Sequence, residues 1–169
     1  VVVLILAMPN LLVGAFGFDR ADAFKMQSAA IVMQMIGCIV AGLLADRFGA
    51  GRVILFGSLL VAAIASLFYN SLGHVEASTI FMLYMLLGLA SGTVGMVSYS
   101  MVKMFPAQIR FSGISFSYNL AYAIAGGITL PLVQWLSLYS NIGALYYIWT
   151  VCLVTLFTAL LYRSKFEKT

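Results

Sequence analysis

The chain is a succession of long apolar runs separated by short polar breaks. Six runs stand out, at residues 1–17, 27–45, 53–72, 79–102, 113–138 and 145–162. Most are near the roughly 20 residues that an α-helix needs to cross the hydrocarbon core of a bilayer. The breaks are brief: 19–25, 46–52, 73–78, 103–112 and 139–144, followed by the tail Arg163 to Thr169. A membrane β-barrel needs strands of about 10 residues with strict alternation, and continuous runs do not provide it. The expected fold class is all-α and integral to a membrane, with six transmembrane helices. The first run is short and opens the chain without an initiator Met, a basic flank or a small-residue cleavage site. That argues against a secretory signal peptide and for a fragment.

Composition strengthens this picture: 63% of residues are hydrophobic and 8% charged, against about 45–50% and 25% in soluble domains. A net charge of +4 raises the question of nucleic acid, but the cations are confined to the breaks and the tail. Alternating the breaks across a bilayer puts Arg47, Arg52, Lys103, Arg110, Arg163, Lys165 and Lys168 on one side, and only Arg20 and Lys25 on the other. The positive-inside rule then makes the 46–52 and 103–112 loops and the C-terminus cytoplasmic. The five acids, Asp19, Asp22, Asp46, Glu76 and Glu167, also lie in breaks or tail. Because a charge at mid-bilayer costs about 2.5–3.5 kcal/mol on the insertion scale, their placement is economical. It also means that an intramembrane proton relay of Asp, Glu or His is incomplete in this chain; the one histidine, His74, sits in a break.

Cys38 and Cys152 lie inside apolar runs with no ligand spacing around them, so both are expected to be small packing residues, with no metal site. No nucleophile–base–acid set is present, and the chain is not expected to be an enzyme.

Two breaks carry motifs. The first, Gly42-Leu-Leu-Ala-Asp46-Arg47-Phe-Gly49-Ala-Gly51-Arg52, resembles the signature loop of the major facilitator superfamily, G-x-L-a-D-R-x-G-R-R/K. In that family it joins the second and third helices of each six-helix half. Gly42, Leu44, Asp46, Arg47 and Gly49 match, while Ala50 and Gly51 stand where the family has two basic residues, with Arg52 a partial substitute. The second runs from Lys103 to Gly113. Its Phe105-Pro106, Ile109-Arg110 and Ser112-Gly113 resemble the loop between the tenth and eleventh helices of the metabolite:proton symporter branch and its sugar-porter relatives. Asn119-Leu120, Ala125-Gly126-Gly127 and Trp135-Leu136 continue the match, and Met8-Pro9 with Leu11-Leu12 fits the branch's seventh helix.

The resemblance implies that residues 1–169 are helices seven to twelve, the C-terminal six-helix half of a twelve-helix transporter whose N-terminal half is missing. It implies a proton-coupled symporter of a small osmolyte or metabolite, such as proline or glycine betaine, working by alternating access. A symporter of organic acids (dicarboxylates, citrate or shikimate) is the alternative, and a non-transporting receptor or assembly subunit is a third. The partners implied are a small solute, protons, the lipid bilayer and the missing half, without nucleic acid. The proton gradient takes the place of a cofactor, and the expected location is a bacterial inner membrane, crossed several times.

In the family the 46–52 loop latches the two halves together on the cytoplasmic side. The residues suit that role. Gly42 and Gly49 allow close approach and a tight turn, and Asp46 has the charge to pair with an arginine or with the positive end of a helix. The competing view is a helix stop whose Asp46, Arg47 and Arg52 merely fix topology. In the second loop, Lys103 and Arg110 mark the inside, and Pro106 enforces a helix break next to Phe105.

Solute pockets in this architecture lie near the bilayer midplane, which directs attention to polar helix faces. Ser115, Asn119, Tyr122, Gly126 and Thr129 recur at helical spacing within about 80° of arc. Tyr84, Gly88, Ser91, Gly95 and Ser98 repeat the pattern in the fourth run. The small members fit close helix packing as well as a cavity wall, whereas Tyr84, Asn119 and Tyr122 are larger and more polar than packing requires. With Tyr118, the tyrosines offer aromatic faces to a quaternary ammonium. Asn10, after Pro9, and Gln34 are uncharged hydrogen-bonding groups that suit either a cavity or an interhelical contact.

Overall fold

The computed structural model describes residues 2–139 and 143–166, and it is helical throughout, with no strand among the described residues. A π-helical segment, Val2–Ala7, runs into α1 (Met8–Phe16). Next come α2 (Arg20–Phe48), α3 (Ala50–Ser71) and α4 (Ala77–Ser91). A 3₁₀ turn, Gly92–Val94, joins α4 to α5 (Gly95–Met104), and α6 (Arg110–Tyr139) and α7 (Gly143–Phe166) complete the order. Five helical stretches are long and apolar enough to cross a membrane: α2, α3, α4 through α5, α6 and α7. The first segment, six residues of π-helix and nine of α-helix, falls short of the roughly 20 residues that a full crossing takes.

The helices outrun the apolar runs. Asp19 caps α2 by accepting the Ala21 amide at 3.0 Å, so residues expected in a loop become the helix's first turns. The 46–52 break shrinks to Gly49, and the 103–112 break to residues 105–109. The apolar run measures hydrocarbon thickness, but the helix persists into the water-facing zone, where Arg, Lys and Asp cost little. Of the 139–144 break, residues 140–142 lie outside the described residues, as do 167–169 of the tail, including Lys168.

Small residues bring the helices together. The buried face of α2 is Ala23, Met26, Ala30, Gly37, Ala41 and Ala45, a stripe at helical spacing that lets α4 approach closely. A Cβ added at Gly88 of α4 would strike the backbone of Ala30, and one at Gly92 would strike the backbone of Gly37. The 3₁₀ turn therefore sits against α2 backbone to backbone. The main core joins Val3, Leu4 and Met8 to Met26 of α2, Phe68 of α3, Tyr84 and Leu87 of α4 and Ile148 of α7. A second cluster, Ala41, Ala45, Ala50, Val53 and Met96, closes the opposite end. By contrast α6 buries only Thr129 and Val133.

Pro9 explains two long-range bonds. Lacking an N–H, proline leaves the carbonyl four residues back without its helical donor, and in a π-helical register the one five residues back. Those are Ile5 and Leu4. Gln27 Nε2 donates to the Ile5 carbonyl at 2.7 Å, and the Tyr84 hydroxyl donates to the Leu4 carbonyl at 2.8 Å. Gln27→Leu and Tyr84→Phe are each expected to cost about 0.6–2 kcal/mol, the scale of interhelical hydrogen bonds in membranes. A melt of the detergent-solubilised protein reads this, and unchanged melting in both variants would refute the clamp.

Candidate functional site

The two motif loops lie at one end of the bundle, because α2, α5 and α7 all end there while α3 and α6 begin there. Gly49 is the pivot of the first. Its φ of 88° and ψ of 145° belong to a region open essentially to glycine alone, and its amide still donates to the Ala45 carbonyl at 2.9 Å. The chain thereby passes from α2 to α3 through one residue. Asp46, Arg47 and Arg52 are all exposed. The Arg47 guanidinium lies 5.5 Å from the Phe48 ring centroid, and Asp46 forms no ion pair with any described residue. Gly42 is half-buried, yet nothing stands within 4 Å of where its Cβ would be. Among the described residues, then, neither Gly42 nor Asp46 spends its characteristic property.

The second loop is held locally. Arg110 Nε donates to the Phe105 carbonyl at 3.2 Å, which restrains the exposed turn through Pro106. The Phe105 ring covers Gly113, where any Cβ would lie about 2.6 Å from it. The glycine eight residues on thus accommodates the phenylalanine, a pairing that the linear motif does not reveal.

Of the side chains expected at a cavity, three share one helix. Tyr118, Asn119 and Tyr122 lie on α6, with Asn119 and Tyr122 exposed and Tyr118 half-buried. The two tyrosine rings stack with centroids 4.6 Å apart and planes 28° from parallel. Asn119 Nδ2 donates to the Ser115 carbonyl at 2.8 Å. Lower on the same stripe, Thr129 is buried and meets the Tyr147 hydroxyl of α7 at 2.6 Å.

The other three are scattered. Asn10 is exposed on α1, and Gln34 is half-buried in α2. Tyr84 is wholly buried in the core, its ring 5.6 Å from that of Phe68 and its hydroxyl on the Leu4 carbonyl. The structure thus brings Tyr118, Asn119 and Tyr122 together and leaves Asn10, Gln34 and Tyr84 apart from them. Sequence reasoning missed Gln27, whose signal was present: counting back from Pro9 names the carbonyls in need of a donor. Among the described residues no cluster of His, Cys, Asp or Glu could hold a metal ion.

Comparison with known proteins points in one direction. The chain is similar to the inner membrane metabolite transport protein YhjE of Escherichia coli strain K12, at 28% identity over 130 residues, covering 76% of this chain and 30% of that protein. It is similar to the proline/betaine transporter of the same strain, at 33% over 139 residues, covering 76% of this chain and 27% of that protein. It is also similar to the citrate-proton symporter of Klebsiella pneumoniae, at 34% over 120 residues, covering 69% of this chain and 26% of that protein. The chain spans less than a third of the length of these curated relatives. No family model and no solved structure matches it.

Proposed function

From the premise that this chain is a homologue of major facilitator metabolite and proline/betaine transporters, we propose that it is the C-terminal six-helix half of a proton-coupled symporter. The solute is a small osmolyte or metabolite such as proline or glycine betaine, carried by alternating access across a bacterial inner membrane. In this arrangement the 46–52 and 103–112 loops and the C-terminus are cytoplasmic, and the missing half supplies the other wall of the pocket.

The observation that carries the proposal is the uncovered polar face of α6. Tyr118, Asn119 and Tyr122 stand within an apolar stretch, with two of the three exposed. Polar groups at membrane depth face protein or a water-filled cavity rather than lipid. This face therefore fits a second helical body with a wet pocket between. The stacked tyrosines suit a quaternary ammonium or a secondary amine through cation–π attraction. The solute's carboxylate and the coupling proton then fall to residues of the other half, since no charged side chain of this chain lies within its apolar runs. The relative named as a citrate-proton symporter favours one second reading, an organic-acid symporter on the same scaffold.

The test is uptake of labelled glycine betaine and of citrate by the full-length protein in proteoliposomes with an imposed proton gradient. Betaine accumulation that vanishes when a protonophore collapses the gradient is expected. Uptake that continues unchanged would overturn the coupling, and citrate accumulation in its place would select the organic-acid reading.

A further inference from the structure

The amide of Asn119 has two ends, and α6 uses one of them. Its Nδ2 donates to the Ser115 carbonyl at 2.8 Å. A carbonyl takes only a donor, so this bond fixes which way the amide is turned and leaves Oδ1 outward. Oδ1 has no hydrogen-bond partner among the described residues, and Asn119 is exposed. What the polar stripe offers at this height is therefore an acceptor.

Depth makes that oxygen consequential. Asn119 stands nine residues beyond Arg110, the first residue of α6, which is about 14 Å at 1.5 Å per residue. That is near the middle of a hydrocarbon core about 30 Å thick. An amide oxygen left bare at such depth costs free energy, which a bound donor relieves. Around the helix Tyr122 falls between its neighbours, about 60° from Asn119 and about 40° from Tyr118. The acceptor thus borders the stacked ring pair. Ring faces attract a quaternary ammonium and an N–H-bearing one alike, but only the second has a hydrogen for Oδ1. A carboxylate, itself an acceptor, has none.

On the reading of this face as a wall of the solute pocket, we infer that Asn119 is a specificity-determining residue. It makes the transporter prefer a zwitterion whose ammonium keeps an N–H, such as proline, to a fully methylated one, such as glycine betaine. The ammonium lies against the Tyr118 and Tyr122 rings and gives one N–H to Asn119 Oδ1, while the other half holds the carboxylate.

Proline, N-methylproline and N,N-dimethylproline share a ring, a carboxylate and a formal charge, and differ in carrying two, one and no N–H. Titration calorimetry of the full-length protein in detergent gives the Kd of each. The dimethyl compound is expected to bind about ten- to hundredfold more weakly than proline, the scale of one hydrogen bond to a charged group. In Asn119→Leu, which removes the amide and keeps a branched side chain, that ratio should collapse and the three should bind alike. Because the ratio is read within each protein, a loss of folded carrier cancels. Methyl groups also add bulk, but a penalty due to bulk would persist in the variant, so an unchanged ratio there would overturn the inference. So would weakening of all three ligands by one factor, as when Asn119 serves a donor of the other half. A parent protein that binds proline and dimethylproline equally overturns this inference alone, whereas one that binds none of the three overturns the osmolyte reading with it.

Discussion

Gly88→Val is expected to prevent α2 and α4 from closing on one another, at a cost above about 3 kcal/mol, the upper range for overpacking. The reason lies in what the new side chain would meet. A Cβ at this position strikes the backbone of Ala30, and a backbone cannot move aside as a flexible side chain can. Four residues further on, Gly92 and Gly37 stand in the same relation, so the strain cannot be relieved by sliding along the seam. A melt in detergent, together with the yield of folded protein, gives the reading. Gly127→Val is the matched control: it puts the same side chain on a helical glycine, but nothing lies within 4 Å of the new Cβ. Its stability should hold within about 1 kcal/mol of the parent. Equal losses in the two variants would show that helix propensity, not the close crossing, is being measured.

Asp46→Asn should separate transport from folding. The side chain is exposed and forms no ion pair with any described residue, so its removal breaks no ion pair among them. If it pairs with a cation or a helix end of the other half in one state of the cycle, its loss removes a charge-assisted contact of about 1.5–3 kcal/mol. That corresponds to roughly a ten- to hundredfold slower turnover at 1.36 kcal/mol per decade. Uptake by proteoliposomes of the full-length protein is expected to fall accordingly, while solute affinity and the melting temperature stay near the parent's. A melting temperature that falls with the uptake would leave only a helix stop.

How far these features were legible varies with the physics behind each. Apolar runs announced where helices cross, because hydrocarbon thickness imposes itself on sequence directly. Helix ends were less visible: the runs could not tell that α2 begins at Arg20, since its start depends on the Asp19 cap rather than on hydrophobicity. The turn at Gly49 was legible as a glycine between two helices, and the backbone there takes dihedrals that demand one. The stripe of Tyr84, Gly88 and Ser91 was visible as a face but not as to what it faced. Spacing cannot distinguish a cavity wall from a helix seam, and the structure sets Gly88 against Ala30 and buries Tyr84 in the core. The α6 stripe had the same spacing and a different environment, with Asn119 and Tyr122 exposed. Pairings distant in sequence, such as Trp149 Nε1 donating to Ser66 Oγ at 3.0 Å, leave no local trace at all.

The sparse burial of α6 also bears on the order of biosynthesis. Helices α2, α3 and α4 meet along small-residue seams and can join as soon as the third of them has left the ribosome. When α6 emerges, only Thr129 and Val133 await coverage, and the partner of the Thr129 hydroxyl, Tyr147, has not yet been made. Translation must proceed into α7 before α6 has a hydrogen-bonded anchor. Even then Asn119 and Tyr122 of the polar stripe stay exposed, so α7 anchors the lower part of α6 and leaves the upper part uncovered.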